Sequence, residues 1–486
     1  MLVTTAAGLL AGAQRGGWTS WRGVPYAAPP VGPLRFCSPQ PVTPWTGVRP
    51  ALRSGGAATQ RIGVSGSAHR LGETLGEDCL YLNVYAPRAA RTDGRPRPVL
   101  VWVHGGAYTS GSGALYSGGG LAEEGDVVVV TINYRLGVFG FVDLGSAVTS
   151  DVPSNLGLRD QVAALRWVQD NIAAFGGDPT RVTVAGESAG SVSVSLLVSS
   201  PHTVGLFRAA IMQSGLFTLV HGEETRVEIA RHYARILGLG RGDGDRLRQL
   251  PAAAFAAAQH QVNRNTPGTV PASPWLDGDL VPASLVEAQQ AVRPELALLA
   301  GHNHDEITFF RLLPGDVLPT SRAALTARLR AELGWDRAAQ LLALYPSTTR
   351  GTVELGTDLN FAMPTRHFAE RHAAAGGRTW FYRFDARVPV LGATHASELV
   401  GLWGWTGTSA LLLRGRETPA RSALAARMRA HWLSFVRTGA PGADWPRFTV
   451  AEQATQVFDP VGDRVALDPA GERRRAWAGQ DVLPRS

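Results

Sequence analysis

The sequence predicts an α/β fold with a central, mostly parallel sheet, and three stretches of the 486-residue chain predict it. In the first, helix, turn, strand and helix signals follow one another: an amphipathic stretch from Gly157 to Phe175, then Gly176-Gly177-Asp178-Pro179, then Val182-Thr183-Val184-Ala185, then an apolar run from Val192 to Val198. In the second, the apolar run Val99-Leu100-Val101-Trp102-Val103 opens into His104-Gly105-Gly106-Ala107-Tyr108, as a buried strand ending in a glycine loop does. The third is a late strand-like run, Arg378 to Phe384, after a stretch rich in Ala, Leu and Arg.

Between the central strand and the next helix stands Gly186-Glu187-Ser188-Ala189-Gly190. Gly-x-Ser-x-Gly in this setting is a nucleophile elbow. The turn is so tight that only residues without bulk fit on either side of the serine, and its hydroxyl is lifted clear of the sheet. Fifty-six glycines make a chance match easy, so the flanking strand and helix carry the weight. An attacking serine also needs donors for the oxyanion it creates. The paired glycines of 104–108 free backbone N–H groups for that task, and the residue after the nucleophile, Ala189, supplies another.

A serine nucleophile needs a base that takes and returns a proton near neutral pH, which points to histidine. His104 sits in the glycine loop, and His302 and His304 follow the apolar run ending at Ala300. His395 lies in a small-residue loop, Gly392-Ala393-Thr394-His395-Ala396, beyond the late strand, and this is where the base is expected. The acid belongs between Ser188 and His395, after a strand. There the chain offers Asp305 and Glu306, and chemistry alone does not choose between them.

Several further motifs run in order along nearly the whole chain. They are Trp21-Arg22-Gly23-Val24-Pro25-Tyr26, Glu77-Asp78-Cys79-Leu80-Tyr81-Leu82-Asn83-Val84, Asn133-Tyr134-Arg135-Leu136-Gly137, Asn155-Leu156-Gly157-Leu158-Arg159-Asp160-Gln161, Ala210-Ile211-Met212-Gln213-Ser214-Gly215 and Trp432-Leu433-Ser434-Phe435. With the elbow and the glycine loop, they resemble the type-B carboxylesterase family, which includes para-nitrobenzyl esterases and cholinesterases. The resemblance implies an α/β-hydrolase fold with helical insertions. It selects Glu306 as the acid, although the family's glycine after that residue is Ile307 here. It implies an oxyanion hole of Gly106, Ala107 and Ala189, with Gly105 giving the loop its freedom. It also implies ion pairs Arg35–Glu77 and Arg135–Asp160, and a second layer of Glu187 and Ser214 around His395. Secreted relatives join the cysteine of the Glu-Asp-Cys-Leu motif to one upstream, and Ala58 stands at that upstream place, so Cys37 and Cys79 read as reduced thiols.

Length exceeds the usual ceiling for one core, yet no linker or charge run divides the chain. We read residues 1–486 as one elaborated catalytic domain with a mostly helical insertion at about 311–376. The formal charge is +7, but every basic residue is arginine and they are scattered, Arg473-Arg474-Arg475 being the only run, which argues against nucleic acid as a partner. No stretch is long and apolar enough to span a membrane, no leader pattern opens the chain, and no metal or dinucleotide motif is present. The expectation is a cofactor-independent, metal-free, cytoplasmic serine hydrolase, a monomer or weak homo-oligomer. It would cleave small-molecule carboxylic esters with Ser188, His395 and Glu306. An amidase or carbamate hydrolase with the same triad is the alternative. A non-catalytic, neuroligin-like binding protein fits less well, because the nucleophile is present. Phe309, Phe310, Phe361 and Trp275 could line an apolar pocket or belong to the core.

Overall fold

The computed structural model describes residues 1–60, 73–215, 219–266, 268–284, 287–288, 291–312, 318–405, 411–413 and 415–479. At the N-terminus, β1 (Leu2–Thr5) and β2 (Gly8–Ala11) form a hairpin, followed by the antiparallel pair β3 (Ala13–Arg15) and β4 (Trp18–Pro25). Next come β5 (Val48–Pro50), parallel to β2, and the short parallel pair β6 (Ala57–Ala58) and β7 (Leu75–Gly76). The strands that build the centre are β8 (Tyr81–Pro87), β9 (Arg97–Val103), β10 (Val128–Ile132), β11 (Gly177–Glu187), β12 (Ala209–Gln213), β13 (Ala297–Asn303), β14 (Arg378–Phe384), β15 (Ala454–Phe458) and β16 (Arg464–Leu467). Among the described residues, eleven strands make one sheet in the order β3-β4-β8-β10-β9-β11-β12-β13-β14-β15-β16. Pairing is parallel from β10 through β15 and antiparallel on both flanks.

The parallel strands are apolar on both faces because helices cover both. Val99, Val101 and Val103 of β9 join Val128, Val130, Val182 and Val184 in one core, beneath the helices Leu156–Asn171 and Ala189–Ser199. Leu100 and Trp102, the alternate residues, join Val129, Ile211 and Leu299 in a second core under the helix Pro419–Thr438. The two-residue period of a strand thus divides each sequence run between two cores. The last of these helices starts well before the Trp432-Leu433-Ser434-Phe435 motif that it carries. Thr418 caps it by accepting from Arg421 N–H, and Pro419 occupies its first turn, where a missing N–H costs nothing. Strand β11 likewise begins earlier than its apolar run, because Gly177 already pairs with Arg97 before an irregularity in the register.

Between β13 and β14 lie the helices Ile307–Phe310, Arg322–Leu333, Trp335–Leu342, Thr349–Thr357 and Met363–Ala374. A third core of Leu325, Leu329, Leu341, Leu355 and Leu359 holds the later ones, together with Trp477 from the helix Gly471–Trp477, while Ile307 and Phe310 of the first join the main core. Both ion pairs suggested by the motifs are present. Arg35 Nη2 meets Glu77 Oε1 at 2.5 Å, and Arg135 Nη2 meets Asp160 Oδ1 at 2.7 Å with Asp160 fully buried. Cys37 and Cys79 are unpaired, and burial pushes the Cys79 thiol far up.

Candidate active site

Strand β11 delivers Ser188 at φ 57° and ψ −124°, a backbone conformation that side chains rarely adopt. The flanking glycines explain why the strain persists. A Cβ on Gly186 would come within 2.5 Å of Gly190 C, and one on Gly190 within 2.2 Å of Val103 O. Neither neighbour tolerates a side chain, so the elbow packs tightly on itself and against the end of β9. Ser188 N–H donates to Gln213 O at 2.9 Å, which ties the elbow to β12.

The glycine loop after β9 wraps against this turn. A Cβ on Gly105 would lie 3.1 Å from Ser188 Cβ, so the loop and the serine are in direct contact. Gly106, Ala107 and Tyr108 all have positive φ, at 110°, 50° and 56°, which turns successive N–H groups to one side. The N–H groups of Gly106, Ala107 and Ala189 donate to no described residue. His104 is not available as a base. It is buried against the Tyr134 ring, its Nδ1 is 2.8 Å from Gly105 O, and burial lowers its pKa to about 4.

His395 stands on the loop after β14, buried, with Nδ1 2.6 Å from Glu306 Oε2. Glu306 is itself fully buried, and its other oxygen accepts from Asn303 N–H at 2.7 Å. The two carboxylates that the sequence left side by side therefore separate. Asp305 turns away to accept from Ala393 N–H at 2.9 Å and to meet Arg387 at 3.2 Å, tethering the loop that carries His395. Ile307, where the family has glycine, is compensated across the interface. Its Cγ1 would lie 2.8 Å from a Cβ on Gly356, so the missing side chain there makes its room.

On the far side of the imidazole, Glu187 Oε1 is 3.1 Å from Nε2. The approach lies outside hydrogen-bond alignment, so the in-plane lobe of Nε2 is not spent on Glu187. Burial pulls the His395 pKa down, but Glu187 and Glu306 outweigh it and raise it to about 9. Burial raises the Glu187 carboxyl in turn, against the pull of the imidazole. The Ser188 hydroxyl donates to no described residue, His395 included, so this last link is open. Ser214, suggested as a neighbour of the base, is buried with its hydroxyl unbonded among the described residues, and its N–H donates to Gly301 O at 2.8 Å.

Three rings surround His395: Phe361 at 5.0 Å, Phe310 at 5.1 Å and Phe309 at 5.9 Å between centroids. Trp275 is held elsewhere, its backbone bonded to the Asn155 side chain. Sequence reasoning missed Glu398. It is fully buried, accepts from Gln213 Nε2 at 3.1 Å and Asn303 Nδ2 at 2.5 Å, and burial followed by Glu306 raises its pKa to about 7. A charged residue opening the otherwise apolar run Leu399-Val400-Gly401-Leu402-Trp403 was the available signal. His302 and His304 bond locally to Asn303 O and Asp305, and among the described residues no cluster of His, Cys, Asp or Glu could hold a metal ion.

A mostly parallel sheet whose central strand ends in an elbow serine defines an α/β-hydrolase. Comparison with known proteins makes the class specific. The profile of the Carboxylesterase family matches residues 1–466. The chain is 35% identical to the para-nitrobenzyl esterase of Bacillus subtilis (strain 168), covering 98% of both chains, and 35% identical to the phenmedipham hydrolase of Pseudarthrobacter oxydans, covering 96% of both. A solved PNB esterase structure superimposes with a TM-score of 0.89 at 35% identity, over 98% of this chain and 99% of that one. This chain belongs to the carboxylesterase family and is a carboxylic ester hydrolase. Among the described residues, no helix is long and apolar enough to cross a membrane.

Proposed function

We propose that Ser188 is the nucleophile, His395 the general base and acid, and Glu306 the residue that orients the imidazole, in hydrolysis of small-molecule carboxylic esters through an acyl-enzyme. The observation that carries this reading is the 2.6 Å contact of buried Glu306 with His395 Nδ1, beside a serine held at φ 57° on its elbow. Ser188 Oγ attacks the ester carbonyl while His395 Nε2 takes its proton. Gly106, Ala107 and Ala189 donate to the oxyanion, and Gly105 lets the carbonyl approach. His395 then protonates the leaving alcohol, and water repeats the cycle on the acyl-enzyme. Serine–imidazole bonds often close only once substrate is bound, which accommodates the open link in this structure.

The same reading takes the chain as one catalytic unit with a helical insertion at about 311–376, active in the cytoplasm as a monomer or weak homo-oligomer. Its unpaired thiols support that location. The test is turnover of para-nitrophenyl esters of graded acyl length beside matching anilides. Ser188→Ala should lose on the order of 10⁴-fold or more while staying folded. Near-normal turnover in that variant, or anilides cleaved in preference to esters, would overturn the reading.

A further inference from the structure

The run Arg473-Arg474-Arg475 has no part in the mechanism, yet its first member pairs with Asp358 of the turn whose Phe361 ring packs on His395. The helices Thr349–Thr357 and Met363–Ala374 form a continuous rod, interrupted by a π-helical turn at Asp358–Ala362. Pro364 gives the cause. It lacks an N–H for the carbonyl four residues back, and its ring crowds that carbonyl, so the rod widens there and Met363 N–H donates to Asp358 O, five residues back. Asn360 Nδ2 accompanies the widened turn by donating to Gly356 O at 2.8 Å.

The π turn faces two ways. Leu359 and Met363 join the third core with Trp477, while Phe361 points to the other side, its ring 5.0 Å from His395 and 5.6 Å from Phe310. Its first residue, Asp358, is a buried carboxylate with two partners from outside the turn. Tyr345 O–H donates to Oδ2 at 2.7 Å, and Arg473 Nε lies 2.9 Å from the same oxygen. Trp477 Nε1 donates to the Tyr345 hydroxyl at 2.8 Å, and Arg473 also meets Glu354 at 3.4 Å. Two residues of the helix Gly471–Trp477 therefore clamp the turn that presents Phe361. A buried carboxylate that loses its cation is costly, so Arg473 adds to what Pro364 and Tyr345 do in holding the turn at this register.

We propose that Arg473 and Trp477 are positioning residues for substrate selection: acting through Asp358 and Tyr345, they fix the π turn and hence the place of Phe361, which sets the size of ester that fits beside His395. The proposal rests on the reading of His395 as catalytic base. Neither residue touches the reacting atoms, so the signature is selectivity rather than loss of chemistry.

The experiment measures kcat and KM for para-nitrophenyl acetate and para-nitrophenyl octanoate with the full chain and four variants: Phe361→Ala, Arg473→Met, Arg473→Lys and Trp477→Phe. Phe361→Ala defines the direction in which an enlarged site shifts the octanoate-to-acetate ratio of kcat/KM. Arg473→Met should shift the ratio in that same direction by roughly tenfold, chiefly through KM, with kcat for acetate within about twofold of the parent. Arg473→Lys, which keeps the charge, should recover most of the parent ratio. Trp477→Phe, which keeps an aromatic ring in the core but removes the hydrogen bond to Tyr345 and some packing volume, should move the ratio the same way by less, and it carries the test if Arg473→Met does not fold. A parent-like ratio in Arg473→Met or Trp477→Phe, despite a lowered melting temperature, would make the clamp merely structural and overturn the inference alone. A parent chain that cleaves neither ester would instead overturn the functional reading, and the inference with it.

Discussion

Glu187 Oε1 stands 3.1 Å from His395 Nε2, while Glu306 Oε2 holds Nδ1 of the same ring at 2.6 Å. The imidazole thus lies between two buried carboxylates, one on the elbow and one on the loop after β13. Two anions favour the imidazolium, and their pull exceeds the burial cost that would keep the ring neutral. In the proposed mechanism an imidazolium forms once Ser188 has lost its proton, and there this field would stabilise charge that develops during acylation. It also raises the pH at which the resting base becomes available.

The pH profile follows from that balance. Only neutral His395 accepts a proton, so kcat/KM falls as pH drops through its pKa, and a raised pKa places that acid limb at higher pH. The Glu187 charge is one of the main effects holding the pKa up against burial, beside Glu306, which adds both its charge and a hydrogen bond. Glu187→Gln should therefore move the acid limb to lower pH, by roughly one unit or more. Peak kcat should fall in the same variant, because the transition-state imidazolium loses one of its anions. A pH–kcat/KM series over pH 5–10 for both proteins is the measurement. A limb that stays in place, or moves up, would show that Glu187 does not set the protonation of the base.

The separation of Asp305 from Glu306 gives a second expectation. Glu306→Gln leaves the packing nearly unchanged but offers Nδ1 an amide, which supports neither the tautomer nor the charge. Turnover should fall by roughly 10²–10⁴-fold. Asp305→Asn keeps one oxygen for Ala393 N–H and loses the ion pair with half-exposed Arg387, so turnover should stay within about tenfold of the parent. The check is an assay of both purified variants on one activated ester, with folding followed by circular dichroism. Greater damage from Asp305→Asn would move the acid one residue back.

How much of this was legible depended on how local each feature is. The elbow, the glycine loop and the strand runs are written in consecutive residues, and β9 and the helix Ala189–Ser199 formed over the predicted runs, while β11 also takes in Gly177-Asp178-Pro179, which reads as a turn. The capped start of the helix Pro419–Thr438 was also written locally, in Thr418-Pro419, but its polar first turns hide it from a reading based on apolar runs. Glu306 required the family resemblance, since a backbone turn after β13, rather than any difference in side-chain type, separates it from Asp305. Glu398 and the Glu187 contact with Nε2 were out of reach for a stronger reason. Glu398 depends on the ends of β12 and β13 bringing Gln213 and Asn303 to it, and the Glu187 contact on the end of β11 meeting the loop after β14, and no spacing in the chain encodes either meeting. The sequence leaves Phe361 as either pocket lining or core, because its direction is set by a π turn, which breaks the 3.6-residue period on which side-chain placement along a helix relies.

The cysteines permit a constructive test. Ala58 and Cys79 line the same small cavity of about 10 Å³, bounded also by Phe36, Gly76 and Leu136. The parallel pairing of β6 with β7, Ala58 opposite Gly76, brings the two ends of the intervening segment together. The parent chain has no partner for Cys79, so its melting temperature should not respond to dithiothreitol. Ala58→Cys should place a second sulfur in the cavity and close a loop of roughly twenty residues, worth at most about 3 kcal/mol in the chain-entropy account. The observable consequences are a melting temperature raised by a few degrees and lowered again by reductant. Under denaturing, non-reducing conditions only Cys37 should then react with an alkylating reagent, and the intact mass should be smaller by two hydrogens. Since Cys79 is buried and its thiol pushed far up, the bond should form during folding rather than by oxidation of the folded chain. A variant in which all the thiols alkylate, with a melting temperature indifferent to reductant, would show that Ala58 and Cys79 do not approach each other as the β6–β7 pairing requires.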